Sequence, residues 1–126
     1  MIVPGSDSHA ALLLADENRA TAHRLNALAP IPHRWVAITS FYSAVHYLGA
    51  YFLEQNGTDV TSHRHRSRLV DAYDNLTPIR SRYWRLYKVS LDARYDARAR
   101  VTEDLVRLLL DDLESIRNLI NRELQR

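Results

Sequence analysis

The residues best suited to chemistry are the run Thr61-Ser62-His63-Arg64-His65-Arg66-Ser67-Arg68, where a loop enters a predicted helix. A helix N-terminus presents unbonded N–H groups and a positive dipole end, and guanidinium groups add charge-assisted hydrogen bonds, so the pattern suits a phosphate. Histidine adds proton transfer near neutral pH. Arg64, His65 and Arg66 are therefore candidate anion ligands. His63 and Arg68 form a candidate catalytic pair, with His63 or His65 as proton shuttle and the neighbouring arginine as phosphate clamp. A plainer reading accounts for the same run: Ser62 or Thr61 caps the helix, Arg64 and Arg68 form a solvated i, i+4 stripe, and His65 packs against a neighbouring helix.

A second cluster interleaves Arg82, Arg85 and Lys88 with Tyr83, Trp84 and Tyr87 and continues into Asp92-Ala93-Arg94-Tyr95-Asp96. Arginines beside exposed aromatic rings hold phosphates and stack bases. Arg82, Arg85, Arg94 and Trp84 are the candidates there, whereas Tyr83 and Leu86 are expected in the core. His46, at the edge of an apolar helix face, reads as a core histidine.

Other chemistries lack their residues. Without cysteine there is no disulfide framework, thiolate zinc site or cysteine nucleophile. No Glu-x-x-His or helical His-x-x-x-His pair occurs, and His63 and His65 diverge on a helix, so no metal site and no cofactor are expected. Three scattered glycines make neither a Walker nor a Rossmann loop, and no serine sits in a Gly-x-Ser-x-Gly turn.

The elements that must position these groups are helical. Breaks at Pro30 and Pro32, at Asn56-Gly57 and at Thr77-Pro78 divide the chain into predicted helices over about 7–28, 33–55, 62–75, 79–92 and 102–124. No stretch sustains period-2 alternation. The fold class is all-α, an antiparallel bundle of four to five helices, in one domain over 1–126 with 1–6 as an N-terminal tail. In the second helix Trp35, Ile38, Tyr42, Val45, Gly49 and Phe52 recur at 3-4-3-4-3 spacing, with Phe41, Leu48 and Tyr51 widening the apolar stripe, which predicts a central helix buried on most sides with another helix crossing closely at Gly49. In the last helix Thr102 is the expected N-cap and Val106, Leu109, Leu110, Leu113, Ile116, Ile120 and Leu124 form the inward stripe. The first helix is less clearly amphipathic, its Leu13, Leu14, Leu25 and Leu28 suiting a flank or a dimer interface.

Of 126 residues, 46% are apolar and 25% charged, enough for one core without staples. The net charge of +2 conceals a division: residues 61–100 hold ten Arg or Lys against four Asp, and the remainder seven against eleven acids. The middle is a basic block, the footprint expected for RNA, a nucleotide or an acidic protein face. Arginine-rich usage, sixteen Arg to one Lys, raises the charge but does not explain its clustering. The N-terminal residues lack a leader pattern, and no run of 18 apolar residues occurs, so a cytoplasmic protein with no membrane span is expected.

The segment from Trp35 to Leu53 with His46 within it, then Ser62-His63-Arg64, then Tyr83-Trp84-Arg85-Leu86-Tyr87 leading into Asp92-Ala93-Arg94-Tyr95-Asp96, resembles bacterial HEPN-domain proteins over residues 30–124. The resemblance implies a bundle of about four to five helices forming a homodimer, with an RNA- or nucleotide-associated role in a toxin–antitoxin or defence system and a minimal nucleotidyltransferase antitoxin as partner. HEPN ribonucleases carry an Arg followed by four to six residues and then His. No such spacing occurs here; His63 to Arg68 is the reverse order. The resemblance therefore implies a binding module, with a divergent metal-independent endoribonuclease or a protein-only adaptor as alternatives.

Overall fold

The computed structural model describes residues 2–126, and among them the regular structure is entirely helical. Helix α1 spans Asp7–Asn26, α2 His33–Asn56, α3 His63–Ala72, α4 Arg80–Tyr95 and α5 Glu103–Glu123, with a 3-10 segment at Asp74–Ile79. Side-chain caps start three of them. The side-chain oxygens of Ser6, Ser62 and Thr102 accept the backbone N–H of His9, His65 and Leu105 in α1, α3 and α5, at 3.1 to 3.2 Å. Helix α2 begins after Pro32 and ends at Gly57, whose φ of 68° allows its N–H to reach the Leu53 carbonyl at 2.9 Å.

The third helix ends earlier than expected, at Ala72 rather than 75, and the 3-10 segment carries Pro78 across the predicted break. Arg80 stabilises this junction by donating to the Val70 carbonyl at 2.9 Å and to the Tyr73 carbonyl at 3.0 Å, the latter also accepting the Leu76 N–H. The fourth helix runs beyond 92 to Tyr95.

Helix α2 supplies most of the core, as expected, with its buried face centred on the Phe41, Leu48 and Tyr51 side of the stripe and not on Trp35 and Tyr42. Ala37, Phe41, Ala44, Leu48 and Tyr51 are its buried centre, while Trp35 is 61% exposed and Tyr42 is also exposed. Val45 and Gly49 are half-buried. Between Trp35 and Leu53 the helix carries no Asp, Glu, Lys or Arg, and its Ser40 and Ser43 are themselves buried, so no charged side marks which face is covered; α1, α4 and α5 cover it on several sides. The close crossing expected at Gly49 is absent: a Cβ there would meet nothing within 4 Å.

Helix α1 returns along α2 on small residues. Ala15 and Ala22 are buried, and Ser43 Oγ donates to the Ala15 carbonyl at 2.8 Å. Leu13, Leu14 and Leu28 consequently face outward. Tyr47 donates to Asp16 at 2.5 Å, and burial first, then this bond, raises its pKa. Helix α5 seals the remaining side through Leu109, Leu113, Ile116 and Ile120, and an Arg19–Glu114 pair ties it to α1. The α2 window that is long and apolar enough to cross a membrane is 67% buried in the chain, as befits a core helix.

Candidate functional site

The basic block divides into two differently used sets, because successive residues of α4 point 100° apart. Arg82 and Arg85 face α5. There Asp112, fully buried, accepts both donors of Arg85 at 2.6 Å and one from Arg82 at 3.1 Å, while Arg82 also reaches Asp111 at 3.0 Å. These two candidates are committed to an internal ion network, and their charge is largely neutralised there.

The other set lies where α3 meets α4 and α2. The His63 imidazole stacks on Tyr87, with centroids 3.5 Å apart and planes at 6°, and meets the Trp84 ring edge-on at 6.1 Å. Its Nδ1 lies 3.2 Å from the Tyr83 hydroxyl and its Nε2 3.1 Å from Ser67 Oγ. Burial lowers the His63 pKa, and the charges of Arg66 and Arg94 lower it further. His46 shifts the same way, by burial and then by Arg66. Both rings thus favour the neutral form. Burial raises the pKa of the Tyr83 hydroxyl, and Arg66 beside it opposes that rise.

Arg66 is only 8% exposed, yet among the described residues no carboxylate lies within ion-pair distance of it. Arg94 also lacks an acidic partner. Its guanidinium carbon lies 5.7 Å from the Phe41 and Tyr42 ring centroids and 5.3 Å from that of Tyr95, and it donates to the Tyr42 hydroxyl at 3.3 Å. Beside it opens a cleft of about 320 Å³ lined by Arg34, Trp35, Ile38, Tyr42, Ala93 and Arg94. Ring contacts run along part of the face, Trp84 to Tyr87 at 5.8 Å, Tyr87 to Phe41 at 5.8 Å and Phe41 to Tyr42 at 5.8 Å, while Tyr95 joins it through Arg94 and Trp35 through the cleft. Trp35, Tyr42, Trp84 and Tyr95 are all exposed along it.

Of the residues singled out in the sequence, His63, Arg66, Arg94 and Trp84 share this face, and Arg82 and Arg85 do not. Arg64 and Arg68 are exposed on the outer side of α3, and His65 is half-buried. Five residues of helix set Arg68 about 140° away from His63, so the two do not form a pair. Both His63 ring nitrogens already have hydroxyl partners. Among the described residues no cluster of His, Asp and Glu could hold a metal ion.

Three residues of the face escaped sequence reasoning. Apolar spacing alone predicts Trp35 and Tyr42 in the core, and both are exposed. Arg34 donates to the carbonyls of Ala93, Asp96, Ala97 and Ala99 at 2.6 to 3.0 Å, holding the end of α4 and the following loop against the start of α2. No local pattern marks it, since its partners lie some 60 residues away. Compared with known families and curated proteins, the chain matches no family model and no curated sequence.

Proposed function

We infer that the chain is a HEPN-like antiparallel bundle, a homodimer working in the cytoplasm, that binds single-stranded RNA through the face formed by α3, α4 and the start of α2. In this reading it is a binding module of a bacterial toxin–antitoxin or defence system, partnered by a minimal nucleotidyltransferase. One observation carries the RNA assignment: Arg94, with no acidic partner among the described residues, lies by the Phe41, Tyr42 and Tyr95 rings beside the cleft, Trp35, Tyr42, Trp84 and Tyr95 reach solvent around it, and buried Arg66 adds positive charge behind His63 and Tyr83. Guanidinium groups attract the phosphate chain, and exposed rings accept unstacked bases without requiring a sequence.

The geometry favours binding over strand cleavage. A cleaving histidine needs a ring nitrogen available to the 2′-hydroxyl or the leaving oxygen, and the hydroxyls of Tyr83 and Ser67 engage both nitrogens of His63. The test is fluorescence anisotropy with short single-stranded RNAs across a salt series. Arg94→Ala and Trp35→Ala are each expected to weaken binding, by about ten-fold for a lost base stack, and Arg94→Ala to flatten the salt dependence. Absence of binding at low salt, or equal affinity in these variants, would overturn the assignment.

A further inference from the structure

Along the side of α2 left open by its neighbours, beyond His46, lies a second groove of about 430 Å³, lined by Asp7, Ala10, Ala11, Leu14, His46, Leu53 and Asp59. We propose that it is the docking groove for a helix of a partner protein, one presenting apolar side chains to the floor and lysine or arginine along its flanks. This proposal stands apart from the RNA reading.

The shape is that of a helix-in-groove site. Ala10, Ala11 and Leu14 on α1 form one ridge at helical spacing, Leu53 on α2 the other, and Leu14 is 41% exposed, left uncovered by the described residues. Gly49 lies between His46 and Leu53 on the same side of α2, three residues after one and four before the other. Glycine within a helix is unfavourable relative to alanine, a cost offset where another backbone packs closely. Among the described residues none does so, since a Cβ at Gly49 would have open space around it, which leaves room there for a helix from outside the chain.

Charge decides the kind of helix. Asp7 and Asp59 line the groove, and exposed Glu17 and Glu54 continue the α1 and α2 surfaces; none of the four has an ion-pair partner among the described residues. Arg66, which acts on His46 from within, does not line the groove. An acidic rim around an apolar floor repels a phosphate chain and favours basic flanks.

The probe is a synthetic amphipathic helical peptide of about 20 residues, long enough to be helical alone, with alanine and leucine on one face and lysine on the flanks. A twin carrying glutamate on the flanks is the control, and calorimetric titration into the full chain is the measurement. The lysine peptide is expected to bind, and Gly49→Leu, which adds bulk on the side of α2 that carries His46 and Leu53, and Leu14→Glu each to weaken it by at least about ten-fold. Leu14→Glu lies on the exposed side and keeps the test intact if Gly49→Leu fails to fold, as circular dichroism will show. No binding of the lysine peptide, equal binding of its glutamate twin, or indifference to the substitutions overturns the proposal. So does sedimentation showing a dimer of the chain that Leu14→Glu dissociates, because the groove would then belong to a second copy.

Discussion

The imidazole of His63 lies flat on the Tyr87 ring, 3.5 Å between centroids, with a hydroxyl at each nitrogen. A neutral imidazole is one donor and one acceptor, and hydroxyls serve as either, so the neutral ring is fully satisfied. Protonation would make both nitrogens donors and add a charge close to Arg66 and Arg94.

A pH dependence of stability follows. His63 and His46 have folded-state pKa values below the ordinary 6.5, His63 through burial and then Arg66 and Arg94, His46 through burial and then Arg66. Unfolded chains therefore bind protons that the native state refuses, and stability rises with pH. The contribution is complete above 6.5 and is lost as pH falls from there through the depressed folded values. Urea midpoints measured from pH 7.5 to 5 are expected to drop, and His63→Gln with His46→Gln to flatten the drop. A midpoint that rises on acidification over this range would contradict the assignment.

Asp112 and Arg85 differ in what their removal leaves behind. Arg85 is about one-third exposed (36%) and can turn to water when Asp112 is lost, but Asp112 is fully buried and cannot. Breaking a buried pair costs about 3–5 kcal/mol, mostly from the stranded charge. Arg85→Ala, with Arg82 still present, is expected to destabilise by about 2–4 kcal/mol and Asp112→Ala by less. Equilibrium denaturation of the two variants measures the order, and a reversed order would mean that the arginine stem's packing, not the carboxylate's burial, governs this corner.

Gly49→Ala is expected to stabilise the isolated chain by about 0.5–1 kcal/mol, since it gains helix propensity and the added methyl meets open space. Thermal denaturation reads this as a rise of a few degrees. A loss of stability would mean that a neighbouring element does press on α2 there.

How much of this was legible in the sequence depended on the range of the interaction. Caps are local, and Ser62 and Thr102 stand where their side chains and the following turns predict. The inward set of the fourth helix, Tyr83, Leu86 and Ser90, is also recoverable, because polar residues flank it and mark the period. Helix α2 offers no such marker, so Trp35 could be assigned to the core by spacing although only tertiary contacts decide which apolar side is covered. The division of the basic block was invisible for a related reason. Arg85 and Arg94 look alike in composition, and what separates them is Asp112, 27 residues from Arg85 in sequence.

Arg34 carries the last consequence of such distant pairing. Its two terminal nitrogens each serve two carbonyls, of Ala93 and Asp96 and of Ala97 and Ala99, where α4 ends and a cation suits the negative end of its dipole. Hydrogen bonds from a charged donor contribute about 1.5–3 kcal/mol each when buried, and partial exposure here reduces their sum. Arg34→Ala is expected to destabilise by about 2–3 kcal/mol and, more tellingly, to speed hydrogen exchange at the end of α4 and in residues 96–100 beyond the global change. Arg34→Lys keeps the charge but not the fork, so it should restore only part of that protection. Because Arg94 lies within this clamped stretch, the same variant should weaken RNA binding without touching any residue that meets the bases. Unaltered exchange in 93–100 would show that the loop is held by other contacts and that Arg34 merely lines the cleft.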